Sequence, residues 1–188
     1  MIPENHYCKL AESLPPMHVH SIYHDQQYGF PIDNDNELFG RLILEINQAG
    51  LSWSTILNKQ ENFRIAFQQF DIQKIAKYNE QDLQRLRNDP GIIRNVLKIN
   101  AVIYNANRIL AIQDSHTSFQ QWLEAHIHLT LPEWVKLFKK HFKFTGPEIV
   151  NEFLMSTGYL PGAHHPNCKM YPKVLEAKPA WHCYSPLS

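Results

Sequence analysis

From Ile92 through Val96, Ile99, Ile103 and Ala106 to Leu110, apolar side chains recur at steps of three and four residues. That period places them along one side of an α-helix, whereas a half-buried strand needs a period of two. A stripe this long must be covered by other elements, and shorter stretches of the same period supply them. Asn34 followed by Glu37 has the form of a capping box, and Leu38, Phe39, Leu42, Ile43, Ile46 and Ala49 follow it until Gly50 closes the helix. Further helices are expected over about 62–70, from Asp71 with Ile72, Ile75 and Ala76, and from Asn79 with Leu83 and Leu86. Phe119, Trp122 and Leu123 suggest another. Thr130 with Glu133, and Thr145 with Glu148, each with a proline between, open two more, the last stopping at Gly158. Strand alternation is sustained nowhere, so the expected fold class is all-α. Residues 159–188 read as irregular, and something other than helix packing must hold them.

The chain has 188 residues, 44% of them hydrophobic, enough for one domain or two intimate lobes around a shared core. No apolar run approaches the roughly 18 residues of a membrane span, and MIPENHYCKL has no apolar signal-peptide core. A cytoplasmic protein is expected. Cys8, Cys168 and Cys183 are too few for a disulfide framework, and a cysteine near histidine then reads first as metal or catalytic chemistry. Lys+Arg equals Asp+Glu at 18 each, which argues mildly against nucleic acid. The balance is uneven along the chain. Arg85, Arg87, Arg94, Lys98 and Arg108 face only Asp89 between positions 83 and 108, and Lys136, Lys139, Lys140 and Lys143 form a second basic cluster. A solvated helix face accounts for either cluster equally well.

Three constellations carry chemistry. Asp89-Pro90-Gly91 is a tight turn between helical stretches, and the helix that follows offers backbone N–H groups to a phosphate, with Arg94 and Lys98 one turn apart beside it. His164 and Cys168, four apart near the C-terminus, and Cys8 and His24 near the N-terminus make a set of two cysteines and two histidines. Such a set suits a closed, structural zinc site that would tether the tail to the N-terminal segment, with His165 a rival to His164. Glu45 lies at the edge of an apolar helix face, where it can be half-buried and accept hydrogen bonds, and Trp53 offers a flat ring for stacking on a base. A solvated Glu45 and a core Trp53 are the plainer alternative.

Taken together, the residues resemble the 3-methyladenine DNA glycosylase I family, a branch of the helix-hairpin-helix glycosylases. The matching segments are Tyr23-His24-Asp25 with Gly29, Leu44-Glu45, Gln48-Ala49-Gly50-Leu51-Ser52-Trp53, Gly91-Ile92-Ile93-Arg94 with Lys98-Ile99 and Ala101, Phe142-Lys143-Phe144 with Gly146-Pro147, and His164 with Cys168. They span nearly the whole chain. The resemblance implies a helix-hairpin-helix glycosylase fold with a hairpin lobe over about 36–144. A zinc-binding lobe would be built from about 1–35 plus 145–188. It implies that Glu45 and Tyr23 hydrogen-bond the excised base, that Trp53 stacks on it, and that Tyr28 lines the pocket. Leu51 would fill the gap left by the flipped nucleotide, the hairpin with Gly91, Arg94 and Lys98 would hold the DNA backbone, and Cys8, His24, His164 and Cys168 would bind one zinc ion. The expected partner is double-stranded DNA containing alkylated purines, met by a monomer.

The sequence also departs from that family. Cys8 is followed by Lys9 and Leu10 where a tryptophan is usual, Gln27-Tyr28-Gly29 replaces Glu-Trp-Gly, and Glu148 stands where a small hydroxyl residue is common. One aromatic wall is therefore expected to be missing and another altered. No Asp or Glu occurs between Asp89 and Asp114, so the carboxylate that many relatives place after the hairpin is absent. A cationic 3-methylated adenine is a good leaving group and needs selective binding more than acid–base help. A noncatalytic binder of damaged DNA is the alternative, and a zinc hydrolase is disfavoured by four available ligands and no His-Glu-x-x-His motif.

Overall fold

The computed structural model describes residues 1–184 and holds, among them, thirteen α-helices, one 3₁₀ turn and no strand. The all-α expectation is met. Helix α3 (Asp35–Gln48) forms the centre, and its ten residues from Leu38 to Asn47 are all buried. It packs against α4 (Trp53–Leu57), α5 (Gln60–Ala66), α6 (Ile72–Ile75), α8 (Val96–His116), α9 (Phe119–Ala125) and α11 (Pro147–Ser156). The sequence reads as a one-sided amphipathic helix, but a helix covered from every direction has no solvent face, so even Arg41 and Glu45 go inside. Asn34 caps it by accepting from the Asn36 and Glu37 amides. The Glu37 side chain does not complete the capping box; it takes both Nη atoms of Arg64 in a bidentate pair.

The long stripe begins later than its first apolar residue. Ile92 is buried in the connector, and Asn95 caps α8 by accepting from the Lys98 amide at 3.1 Å. The buried line is Ile99, Val102, Ala106, Ile109 and Ile112, while Val96 is exposed. Helix α7 (Glu80–Asn88), with a full Asn79/Asp82 capping box, precedes the turn. Helices α9, α10 (Leu131–His141) and α11 enclose an aromatic cluster of Phe119, Trp122, Trp134, Phe138 and Phe153. The Thr130/Glu133 box is present. Thr145 does not cap α11; Gly146 does, and the buried Thr145 hydroxyl donates to the Phe142 carbonyl at 3.3 Å.

Short helices α1 (Tyr7–Glu12), α2 (Val19–Gln26) and α4, and in the tail α12 (Tyr171–Glu176) and α13 (Ala180–Cys183), have too few turns to show a period. The tail is thus less irregular than expected, although the last four residues of the expected 145–188 segment lie outside the described residues. It is tied back by the Gly29 amide donating to the Ser156 carbonyl at 2.9 Å, and by a Lys169–Asp25 ion pair at 2.8 Å.

Gly40 offers a test of how tightly α3 is enclosed. A Cβ there would run into the Phe70 ring. Gly→Ala in a helix interior normally stabilises by about 1 kcal/mol. Here overpacking should reverse the sign, so that Gly40→Ala costs about 1–3 kcal/mol in denaturant unfolding. A stabilised variant would show that the space beside Gly40 is open.

Candidate active site and metal cluster

Arg41 and Glu45, one turn apart on α3, are 6% and 3% exposed. The Arg41 guanidinium donates from Nη1 to the Tyr23 hydroxyl at 2.9 Å and to the Ser156 carbonyl at 3.4 Å, and from Nη2 to Gln27 Oε1 at 3.4 Å. It thereby joins α3 to α2 and α11. Glu45 lines a cavity of about 640 Å³. Among the described residues no donor is within hydrogen-bond distance of its carboxyl. Burial pushes Glu45 up to about 8, against the pull of Arg41 and with a further push from Glu152.

Aromatic rings wall the cavity. Tyr23, from α2, meets the half-buried Trp53 at 5.3 Å between centroids, edge to face, and Tyr28 at 5.5 Å. Ser52 starts α4 by capping the Thr55 amide, which sets Trp53 at the first helical position, directed to the cavity. Tyr7 meets Tyr28 edge to face at 5.2 Å. Its hydroxyl lies 2.8 Å from His20 Nδ1, and His20 Nε2 lies 2.6 Å from Ser54 Oγ. The wall expected to be missing is therefore filled by Tyr7, on the other side of Cys8 from the usual tryptophan position. On the α11 side stand Glu148, exposed at the rim, and Glu152, whose Oε2 accepts from the Tyr28 hydroxyl at 3.3 Å. Sequence reasoning missed Arg41, Tyr7 and Glu152. Arg41 could have been noticed as a lone cation within an apolar helix, four residues before Glu45.

Cys8, His24, His164 and Cys168 are all buried, and their donor atoms lie within 4.8 Å of one another. His24 Nδ1 is 2.7 Å from Asp25 Oδ1, which leaves Nε2 turned to Cys168 Sγ at 3.6 Å. His164 donates from Nε2 to the Tyr28 carbonyl at 2.7 Å, which leaves Nδ1 at 3.7 Å from both Cys8 Sγ and Cys168 Sγ. Each imidazole is thus oriented by an outer partner, as metal-bound histidines are. Gly29 keeps the approach open: its φ is +79°, and a Cβ would collide with Ala163. The cluster can hold a metal. His165 is not part of it.

The Gly91 amide donates to Asp89 Oδ1 at 2.7 Å, and its carbonyl accepts from Lys59 Nζ at 3.1 Å, so the turn is rigidly held. Arg94 is exposed, and among the described residues no ion pair engages it, unlike Arg85 and Arg87. Lys98 corrects the expectation. It is 6% exposed and donates to the carbonyls of Asn47 at 3.0 Å and Ala49 at 2.8 Å. Its ammonium satisfies the free carbonyls at the C-terminus of α3, where the helix dipole favours a cation, and is not presented to solvent. It fixes the Gln48-Ala49-Gly50 segment, which lines the cavity. Leu51, next along, is 39% exposed.

Two variants probe this arrangement. Glu45 holds its proton in the fold up to about pH 8, whereas an ordinary glutamate releases it near 4.5. The native state therefore binds more protons between these values, and stability falls as pH rises through that window. Glu45→Gln should raise the melting temperature, with a gain that grows from pH 5 to pH 8 and then levels off. A pH-independent difference would show that Glu45 is solvated. Lys98→Met should lower the melting temperature markedly, whereas Arg94→Ala should leave it within a degree or two.

Comparison with known proteins fits this geometry. A family model described as methyladenine glycosylase matches residues 15–133. The DNA-3-methyladenine glycosylase 1 of Escherichia coli (strain K12) is 35% identical over 179 residues, covering 85% of this chain and 94% of that protein. A crystal structure of a variant 3-methyladenine DNA glycosylase I in complex with 3-methyladenine superposes with a TM-score of 0.77 at 31% identity, covering 85% of this chain and 95% of that one. The Staphylococcus aureus enzyme, solved for the structural basis of 3-methyladenine recognition, gives 0.74 at 32% identity, covering 80% and 90%. Sequence, fold and extent of coverage agree, and the chain belongs to the methyladenine glycosylase family.

Proposed function

We propose that this DNA glycosylase excises 3-methyladenine from alkylated double-stranded DNA by flipping the nucleotide into the tyrosine-walled cavity and hydrolysing its N-glycosidic bond. The observation that carries the reading is Glu45, a carboxyl buried on the cavity wall with no donor among the described residues to satisfy it. Burial without a partner is costly, and a cationic base supplies the missing partner. The cation replaces the proton that Glu45 holds in the empty pocket, so binding below pH 8 releases that proton. Tyr23, whose oxygen already accepts from Arg41, gives its own hydrogen to the base. Trp53 stacks on the purine, and Tyr28 and Tyr7 close the sides. As the glycosidic bond breaks, its electron pair passes to the base and cancels the positive charge, while water adds at the sugar carbon and loses a proton to solvent. With no Asp or Glu between residues 90 and 113, no carboxylate follows the hairpin to assist, and the rate rests on the leaving group and on selective binding.

In this reading Leu51 fills the space left by the flipped nucleotide, and the Gly91 turn with Arg94 holds the phosphate backbone. Residues of about 36–144 form the hairpin lobe of a helix-hairpin-helix fold, and the terminal segments form the metal lobe. The enzyme acts as a cytoplasmic monomer; no helix among the described residues is long and apolar enough to cross a membrane. Cys8, His24, His164 and Cys168 hold one structural zinc ion. Zinc bonds of about 2.3 Å to sulfur and 2.0–2.1 Å to nitrogen in a tetrahedron separate sulfur from nitrogen by roughly 3.5 Å. The cluster's 3.6–3.7 Å separations suit that arrangement.

Release of free base from methylated duplex DNA tests the activity. It is expected for the parent and should fall sharply in Glu45→Gln, while affinity for undamaged duplex is unchanged. Trp53→Ala should weaken base binding by about 1–3 kcal/mol. Parental excision by Glu45→Gln would place the pocket elsewhere. Freshly purified protein should contain about one zinc per chain, lost in Cys8→Ser or Cys168→Ser. Metal-free protein by elemental analysis would remove zinc from the account. Arg94→Ala should lower DNA affinity equally for all sequences and reduce the salt slope by about one charge.

A further inference from the structure

The cavity holds more acid than this reading uses. Glu148 lies in the first turn of α11, where the helix dipole favours a carboxylate and water reaches it. Glu152 has neither advantage. It sits in the interior of the helix, is half-buried, and faces the same cavity as Glu45. Its Oε2 accepts from the Tyr28 hydroxyl at 3.3 Å, a neutral donor. Among the described residues no lysine, arginine or histidine forms an ion pair with it. The buried Arg41 is engaged with Tyr23, Ser156 and Gln27. The charge of Glu152 helps to push Glu45 upward, while burial pushes Glu152 in the same direction, against the Tyr28 hydroxyl and with a further push from Glu148. Glu45 and Glu152 face this largely apolar cavity from within, Glu148 stands at its rim, and among the described residues no cation lines it. A neutral purine relieves neither group, whereas a purine bearing a formal positive charge relieves both.

We propose, resting on the base-excision reading above, that Glu152 is a specificity-determining residue: a second carboxylate facing the flipped base, held by the Tyr28 hydroxyl, that makes the cavity select positively charged N-alkylated purines over neutral ones. Glu45 alone would set a preference, and Glu152 widens it. Because the added discrimination reads charge, the ligand class is the N-alkylated purine cation as such.

Calorimetric titration near neutral pH with 3,9-dimethyladeninium, in which methylation at N3 and N9 leaves no ring N–H to shed and so keeps the charge, against neutral 9-methyladenine tests this. The parent protein should prefer the cation. Glu152→Gln keeps an acceptor for Tyr28 and should lower affinity for the cation by about tenfold, as expected for about 1.4 kcal/mol, while leaving the neutral ligand within about twofold. Glu152→Asp, which keeps the charge, should recover part of the preference. A melting temperature no lower than the parent's in Glu152→Gln separates charge recognition from a structural role. An unchanged cation-to-neutral ratio in Glu152→Gln, or a parent with no preference, overturns the proposal. Base release from methylated DNA by the same preparations keeps the two readings apart. Release with an unaltered ratio defeats only the role of Glu152, and no release by the parent defeats the base-excision reading itself.

Discussion

Two cysteines and two histidines from opposite ends of the chain converge in a buried cluster, and the cavity is built directly onto it. Tyr7 precedes Cys8, Tyr23 precedes His24, and the Tyr28 carbonyl accepts from His164. The residues that set three walls of the cavity are therefore covalent neighbours or hydrogen-bond partners of the cluster. Structural zinc sites supply roughly 10–16 kcal/mol of apparent binding energy in small domains, and helices as short as α1 and α12 are marginal on their own. On the zinc reading, the ion that fastens the tail to the N-terminal segment also orients the tyrosines.

The second constraint is electrostatic. Helix α3 buries a cation and an acid one turn apart, yet Arg41 hydrogen-bonds Tyr23 and two backbone or amide oxygens and leaves Glu45 to the cavity. Arg41 offsets part of the burial of Glu45 without neutralising it, so the carboxyl stays available to a ligand. The folded chain bears that cost when the pocket is empty. This is the usual relation between a preorganised polar site and stability. Lys98 does the complementary work at the other end of the same segment, where it satisfies the α3 carbonyls and fixes the loop that leads to Leu51 and Trp53.

Helices with several turns and conventional caps were legible from the residues alone. The periods of α3 and α8, the Asn79/Asp82 and Thr130/Glu133 boxes, and the turn at Gly91 depend on neighbours within a few positions. The cluster residues and Glu45 could be picked out by chemistry and by resemblance. The departures at Leu10 and Tyr28 suggested an altered pocket, because a sequence motif is read at fixed positions and Tyr7 sits on the wrong side of Cys8 for that reading.

What the sequence by itself determined is the class of fold, the family and the residue types available for a base pocket and a metal, since these follow from local periodicity and from motifs in order along the chain. Only the tertiary structure decided where charge is exposed. Lys98 and Arg94 are four residues apart, yet one is locked beneath α3 and the other is in solvent. Glu152 and Glu45 are more than a hundred residues apart and share one cavity. Burial and the electrostatics that follow from it are set by which surfaces meet when distant helices pack, and no spacing along the chain encodes that distance.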